Sequence, residues 1–310
     1  MPSDLAKLTP LLLAVASCKA GVIRVADLPA YHFGAPALVK ELASTSKVEN
    51  PTLTADSLQI FFTTNRNSGT SSDVWFARRS SVTEPFGAPE VVPGVNSDDR
   101  ETSAAISADG LTLWLGSERP GGLGNVDIWA AERTSTSGAW SAPVNLVALN
   151  SSADDIPRPP GQHGLVMPMA STSASPDQYW TYLATRADAA SPFEKPVPIP
   201  ELQYSDRSSV DASLSDDGLT MFFSSSPRAS AGDDAATADS GAGGTMSTAA
   251  DLYVAFRSST REPFSVPQAL DDLNTAFDER DPFLSADGST LYFTSDRDGT
   301  LRIYAASVSR

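Results

Sequence analysis

The stretch "AAISADGLTLWLGSERPGGLGNVDIWAAER", residues 104 to 133, decides the fold because it is not unique. The same order of parts appears in "PTLTADSLQIFFTTNR" (51–66) with "DVWFARR" (73–79), and in "ASLSDDGLTMFFSSSPR" (212–228) with "DLYVAFR" (251–257). It appears again in "PFLSADGSTLYFTSDR" (282–297) with "RIYAASV" (302–308). Met once, such aspartates suggest a metal loop or a catalytic carboxylate pair; recurring in register, they read as a structural device. Asp-Gly between two apolar runs is a strong hairpin signal, because glycine accepts the positive φ of a tight turn and aspartate tolerates it. Asp109, Asp217 and Asp287 are therefore read as turn formers.

A second marker extends the repeat over the chain. An aromatic-to-proline anchor stands at "FGAP" (Phe33), "FGAP" (Phe86), "WSAP" (Trp140), "FEKP" (Phe193) and "FSVP" (Phe264), spaced 53, 54, 53 and 71 residues apart. The long last interval holds a Gly/Ala/Ser/Thr/Asp-rich tract, read as a loop insertion over 227–250, with too few apolar residues to pack. Each unit reads as four short strands: a before Asp-Gly, b after it, c at "DIW" or its equivalent, and d at the anchor. The third copy departs: "RPPGQHGLVMPMA" (158–170) lacks Asp-Gly and puts Pro168 where strand b should run, which a central strand resists.

Five such units of about fifty residues match the blades of a propeller, whose sheets pack radially and leave only short edges. The last copy stops after strand c at Arg310, and the first begins with strand d, "FGAPALVKEL" (33–42). The expected fold is all-β: a five-bladed β-propeller of four-stranded antiparallel blades over 33–310, closed by an N-terminal strand that completes the C-terminal blade. A monomer is expected.

Repeats of the form S-A-D-G-x-x-L-x-F-x-S-x-R followed by D-I-W or D-L-Y and A-x-R resemble the TolB-type, WD-like propeller repeat of bacterial envelope proteins. The resemblance runs from about Phe33 to the end and implies a periplasmic binding scaffold. TolB pairs its propeller with a separate α/β domain, for which the stretch before Phe33 is too short, so the resemblance is to the repeat class. Propellers host unrelated functions, and the motif speaks for the fold more than for activity.

Composition narrows the partners. A net charge of −16 disfavours DNA, RNA and anionic lipid and favours cations or cationic partners. Beyond the first residues no window approaches the roughly 18 apolar residues of a membrane span. The opening "MPSDLAKLTPLLLAVASCKAG" reads as an export signal over 1–18 followed by a linker over 19–32. "VASC" resembles the lipobox of bacterial lipoproteins, which implies lipidation at Cys18, the only cysteine; the membrane would be touched only through that anchor, and no disulfide can form. The alternative is an apolar first helix with a buried thiol.

In a propeller the loops from d to a and from b to c share one face, usually the binding face, and strand a lines the channel. The d-to-a loops "NSDDRE" (96–101), "NSSADD" (150–155), "YSDRSSVD" (204–211) and "NTAFDERD" (274–281) would ring one mouth. The candidate ligand-binding residues are Asp98, Asp99, Arg100, Glu101, Asp154, Asp155, Asp206, Arg207, Asp211, Asp278, Glu279, Arg280 and Asp281. Two readings stand: ion pairs between blades that order the loops, or a site for a cation, a small polar ligand or an envelope protein. A glycoside hydrolase of the arabinanase type is the enzymatic alternative, since glycosidases need one protonated and one ionised carboxyl at a defined separation. No single copy carries a distinctive acid, so no catalytic residue is assigned. Arg66, Arg119, Arg228 and Arg297, which close strand b, are read as structural ties. His32 and His163 lack metal-ligand spacing, and no metal or cofactor is expected. "RPGGLGN" (119–125) opens no helix, and "DRDGT" (296–300) lacks the acidic spacing of a calcium loop.

Overall fold

The computed structural model describes residues 31–67, 69–227 and 249–310. The expected export signal, Cys18, Arg228 and most of the 227–250 insertion lie outside these residues. The described residues open with two short strands, β1 (His32–Phe33) and β2 (Ala37–Leu38). Blade I follows as β3 (Val48–Leu53), β4 (Gln59–Thr64), β5 (Asp73–Arg78) and β6 (Glu90–Val91); blade II as β7 (Glu101–Ile106), β8 (Thr112–Ser117), β9 (Asp127–Glu132) and β10 (Val144–Asn145). Blade III comprises β11 (Asp155–Pro157), β12 (Val166–Ser171), β13 (Trp180–Thr185) and β14 (Val197–Pro198). Blade IV comprises β15 (Arg207–Leu214), β16 (Thr220–Pro227), β17 (Asp251–Phe256) and β18 (Gln268–Ala269). Blade V has β19 (Glu279–Leu284), β20 (Thr290–Ser295) and β21 (Arg302–Ser309), and its fourth strand is β2, which precedes blade I in the sequence. Ala37 and Leu38 pair with Ala305 and Tyr304, and His32 and Phe33 continue along Ser309 and Val308. The ring closes as expected, in antiparallel four-stranded sheets.

The near-continuous apolar runs of strand b follow from burial on both faces. In β4, Phe61 joins a cluster with Ile106 and Leu113 of blade II, while Ile60 and Phe62 join Tyr292 and Ile303 of blade V. Successive strand residues point to opposite faces, so each sheet feeds the cores on both sides of it. Three further clusters fill the remaining gaps between neighbouring blades.

Strand d differs from the reading of the anchor. It is the pair of residues after the anchor, because the anchor proline (Pro36, Pro89, Pro143, Pro196, Pro267) has no N–H for a ladder. The anchor ring has another task. Arg79, Arg133, Arg186 and Arg257, at the end of strand c, lie 4.5, 4.3, 4.6 and 4.6 Å from the ring centres of Phe86, Trp140, Phe193 and Phe264. Their Nε atoms donate to the a-to-b turn carbonyls of Ser57, Gly110, Gly164 and Gly218 at 2.8, 2.7, 2.8 and 2.6 Å. The anchor is thus a pad on which an arginine is held while it grips the hairpin.

The Asp-Gly turns are formed as expected. Asp109, Asp217 and Asp287 accept the N–H two residues on at 2.9, 2.9 and 3.0 Å, and Gly110, Gly218 and Gly288 take φ of 73°, 70° and 71°. Blade III corrects the expectation for Pro168. Strand b does run through it, with Pro168 opposite Leu183, and it is strand a that gives way, ending at Pro157. Arg158 N–H still reaches Pro168 O at 3.0 Å, but proline has no N–H to return, and the a–b ladder stops there. The third hairpin instead leans on blade IV, His163 N–H donating to Asp216 at 2.6 Å.

Arg133 combines the grip on Gly110, the pad of Trp140 and a 2.9 Å bond to Gln59 of blade I. Replacing it by alanine should cost about 2–4 kcal/mol in a denaturant melt, whereas Ala at exposed Arg261 should stay within about 0.5 kcal/mol.

Candidate functional site

The d-to-a loops at the channel mouth are built by a repeated polar device. The asparagine of each "LNS" or "LNT" pairs through its amide with the backbone of the adjacent strand c. Asn96, Asn150 and Asn274 each accept the N–H of Val74, Ile128 and Leu252 at 2.8 Å, and return an N–H to the same residue's carbonyl at 3.1, 3.1 and 3.0 Å. The next residue, Ser97, Ser151 or Thr275, donates its N–H and hydroxyl to Glu101, Asp155 or Glu279 at the start of strand a. Strand-b arginines complete the knot: Arg119 Nη2 lies 3.0 Å from Glu101 and 2.7 Å from Val95 O, and Arg297 Nη2 lies 3.0 Å from both Glu279 and Leu273 O. Arg66, in the copy with Val48 in place of the acid, donates to the loop carbonyl of Leu42 at 2.7 Å and to the Thr64 hydroxyl at 3.5 Å.

The remaining mouth candidates sort by exposure. Arg100 pairs with Glu118 at 2.7 Å, and Asp278 accepts from Ala250 N–H and Arg280 at 2.7 and 2.9 Å. Asp154 accepts the Tyr179 hydroxyl at 2.9 Å, and burial followed by the Asp154 charge pushes that phenol's pKa up. Arg207 lies 3.8 Å from Asp206 and donates to the Tyr253 hydroxyl at 3.4 Å. Asp98, Asp99 and Asp206 are exposed. Arg100–Glu118 and Arg280–Asp278 each tie a loop to its own blade, and the Glu49 charge of blade I also acts on Arg280 of blade V. Burial raises the pKa of Asp155, against hydrogen bonds from Ser171 and Ser151.

Below the mouth, at the axis, the copies cease to be alike. Strand a carries a bulge in four blades, between Glu49 and Thr52, Thr102 and Ala105, Val210 and Ser213, and Arg280 and Phe283. Within it Asn50, Ser103, Asp211 and Asp281 take φ of 57°, 51°, 59° and 55°, a conformation that re-aims a side chain and that Asn and Asp tolerate best. Blade III contributes Arg158, 1% exposed. Its Nη1 lies 3.0 Å from Asn50 Oδ1 and 3.5 Å from Asp281 Oδ1, while Asn50 N–H donates to Asp281 Oδ2 at 3.1 Å. Blade III neighbours neither blade I nor blade V in the ring, so these contacts cross the channel. Ser224 donates to Asp211 at 2.6 Å, and the Ser103 hydroxyl donates to Pro157 O. Arg158 Nε and Nη2 have no protein partner among the described residues. Burial, then the neighbouring Asp211 charge, raises the pKa of Asp281 to about 7 against the opposing pull of Arg158.

Asp211 and Asp281 were expected at the mouth and stand at this throat; Asn50, Ser103 and Arg158 were missed. A signal existed, since Asn, Ser, Asp and Asp stand three residues before the last apolar residue of strand a in four copies. Among the described residues no group of three or more His, Cys, Asp or Glu is arranged to hold a metal ion, and no helix is long and apolar enough to cross a membrane. His32 and His163 are both exposed.

No family model and no curated protein matches the chain. Solved structures do. A thermostable family-43 glycoside hydrolase superposes with TM-score 0.53 at 10% identity over 87% of this chain and 91% of its own. A protein of unknown function from Dyadobacter fermentans gives 0.53 at 12% over 91% and 100%. A chain provisionally assigned as TolB from Agrobacterium tumefaciens gives 0.48 at 12% over 85% and 78%, and no inference rests on that looser superposition. At such identities the likeness shows the fold alone. The ring implied by the TolB-type repeats is the ring observed.

The raised pKa of Asp281 fixes the sign of a pH effect. An acid whose pKa is higher folded than unfolded contributes stability that is full below its ordinary value of about 3.9 and is lost as pH rises through about 7. Thermal melts between pH 4.5 and 8 should show Asp281→Asn losing less stability with rising pH than the parent, and exceeding it at pH 8.

Proposed function

We propose that the protein is a non-enzymatic binding propeller of the bacterial envelope, exported through its first 18 residues, tethered at Cys18, and binding a cationic protein or small polar ligand at the channel mouth. The observation that carries this reading is the commitment of the mouth acids. Glu101, Asp155 and Glu279, the acids that recur at the start of strand a, are consumed in holding loops, two of them gripped by Arg119 and Arg297. What they leave to solvent is a rim with exposed Asp98, Asp99 and Asp206, on a chain of net charge −16. Such a rim favours encounter with positive charge.

A second reading is favoured by one observation at the throat. Asp281, with its pKa raised to about 7, is influenced by Asp211, and one protonated beside one ionised carboxyl is what glycoside hydrolysis requires. Arg158 pairs with Asp281 at 3.5 Å and is itself buried, which supports a structural role for that carboxyl.

The two readings part in a single set of assays. Envelope-extract proteins captured on the parent should be lost, with reduced salt dependence, when Asp98, Asp99 and Asp206 are replaced together by lysine. Aryl arabinosides and arabinan should not be turned over. Turnover that disappears in Asp281→Asn would overturn the scaffold and establish the hydrolase. Fractionation tests the anchor: Cys18→Ser should move the protein from membranes to the soluble fraction, and an unchanged distribution would remove the lipoprotein assignment.

A further inference from the structure

The d-to-a loop between blades III and IV departs from the repeat. Glu101, Asp155 and Glu279, the strand-a acids opposite Ser117, Ser171 and Ser295, each follow their clamping asparagine by five residues. In blade IV the residue opposite Ser225 is Ser209, and five residues before it stands Tyr204, so the acid and the asparagine are both replaced. Other groups hold this loop. Thr181 of strand c donates its hydroxyl to Ser209 O at 2.9 Å, and the Ser209 hydroxyl donates to Leu202 O at 2.7 Å. Gln178 Nε2 donates to Tyr204 O at 2.6 Å and also to Arg207 O. The backbone is fixed by these bonds, and the side chains of Tyr204, Asp206 and Arg207 are relieved of holding it.

These three side chains gather with Tyr253 at the rim. The Arg207 guanidinium lies 6.0 Å from the Tyr204 ring centre, its Nη1 is 3.4 Å from the Tyr253 hydroxyl, and its Nε is 3.8 Å from Asp206 Oδ1. Arg66, Arg100, Arg119, Arg280 and Arg297 at the same mouth are each bonded to an acid or a carbonyl at 3.0 Å or less. Among the described residues Arg207 makes no bond that short. The group is open to solvent: the side chains of Arg207 and Asp206 are 35% and 74% exposed, and Tyr204 and Tyr253 are half-buried. Tyr253 is held from behind by stacking on Phe223, centres 5.7 Å apart and planes at 22°.

We propose that this sector of the mouth binds a neutral pyranose saccharide, one sugar ring lying against Tyr204 while Arg207 donates to, and Asp206 accepts from, two adjacent hydroxyls. The mixed signs make the choice. A bound anion would face Asp206 and a bound cation Arg207, whereas neighbouring hydroxyls, each both donor and acceptor, satisfy the two together. A half-buried aromatic ring with a few oriented polar groups beside it suits a small ligand, and the guanidinium fork is shaped to bridge two oxygens. The inference rests on the reading of the channel mouth as a binding surface and names the small polar ligand that this sector takes.

The probes are cellobiose, maltose, lactose and chitobiose, titrated into the millimolar range against protein with isotope-labelled tyrosine rings and followed by NMR. The reporter is the Tyr253 ring, identified by the signal lost in Tyr253→Phe. At least one disaccharide should shift it. Tyr204→Ala and Arg207→Ala should each weaken that binding at least about tenfold, and Tyr204→Trp, which keeps a ring, should retain it. Should Tyr204→Ala misfold, Asp206→Ala at its exposed position keeps the test decisive and should give a comparable loss. Asp98→Lys combined with Asp99→Lys, on the loop between blades I and II, should reduce capture of envelope proteins and leave the saccharide affinity unchanged, so the two readings fail separately. No response to any of the four disaccharides, or undiminished binding to Arg207→Ala or to folded Tyr204→Ala, would overturn the proposal. Glucuronic acid or glucosamine binding at least about tenfold more tightly than glucose would overturn it too, by assigning the sector to a charged ligand. So would acetyl-Lys-Gly-Lys-amide shifting the Tyr253 signal where no saccharide does, which would make the sector a basic-peptide site.

Discussion

The whole molecule depends on one short antiparallel pairing, Ala37–Leu38 against Ala305–Tyr304. A ring of sheets buries its cores only if the last blade packs against the first, and the core between blades V and I joins Ile60 and Phe62 to Tyr292 and Ile303. Without β2, blade V would present the open edge of β21, a row of unpaired backbone groups. With it, and with β1 running on along Ser309 and Val308, the first and last described strands are tied into one blade and every blade has two neighbours.

Closure has a chemical consequence. Because both faces of each sheet are apolar, polar side chains are driven to the two rims and to the axis. One rim spends its aspartates on turns and its arginines on gripping them from an aromatic pad. The other spends asparagine, a hydroxyl and an acid on three of its loops, so that Glu101 and Glu279 become buried and bonded. Repetition therefore removes most of the charged residues from chemistry. What distinguishes one blade from another is left to the axis, where Asn50, Ser103, Arg158, Asp211 and Asp281 meet, and to the loop between blades III and IV, where Tyr204 replaces the clamping asparagine.

Much of this architecture is legible in the amino-acid sequence. Period, Asp-Gly turns and the chain's starting strand point to five blades and their closure, since each rests on local backbone preference or on counting. The boundary of strand d is harder to read, because the anchor's aromatic residue draws the eye while the missing N–H of its proline decides the matter. Pro168 looks forbidden only if every strand position needs an N–H; it faces the one side where strand a ends. The mouth acids can be picked out, but their partners are mostly hydroxyls and backbone N–H groups, which carry no pattern of charge to read.

By itself the sequence determined the repeat, its hairpins and the element that closes the ring, because turn chemistry and side-chain alternation act over a few residues. Only the tertiary structure decided which polar groups share the axis. Asn50 lies 108 residues from Arg158 and 231 from Asp281, and nothing local relates them. They meet because a closed ring brings strand a of every blade to one line, and a bulge with positive φ turns the side chains of Asn50, Ser103, Asp211 and Asp281.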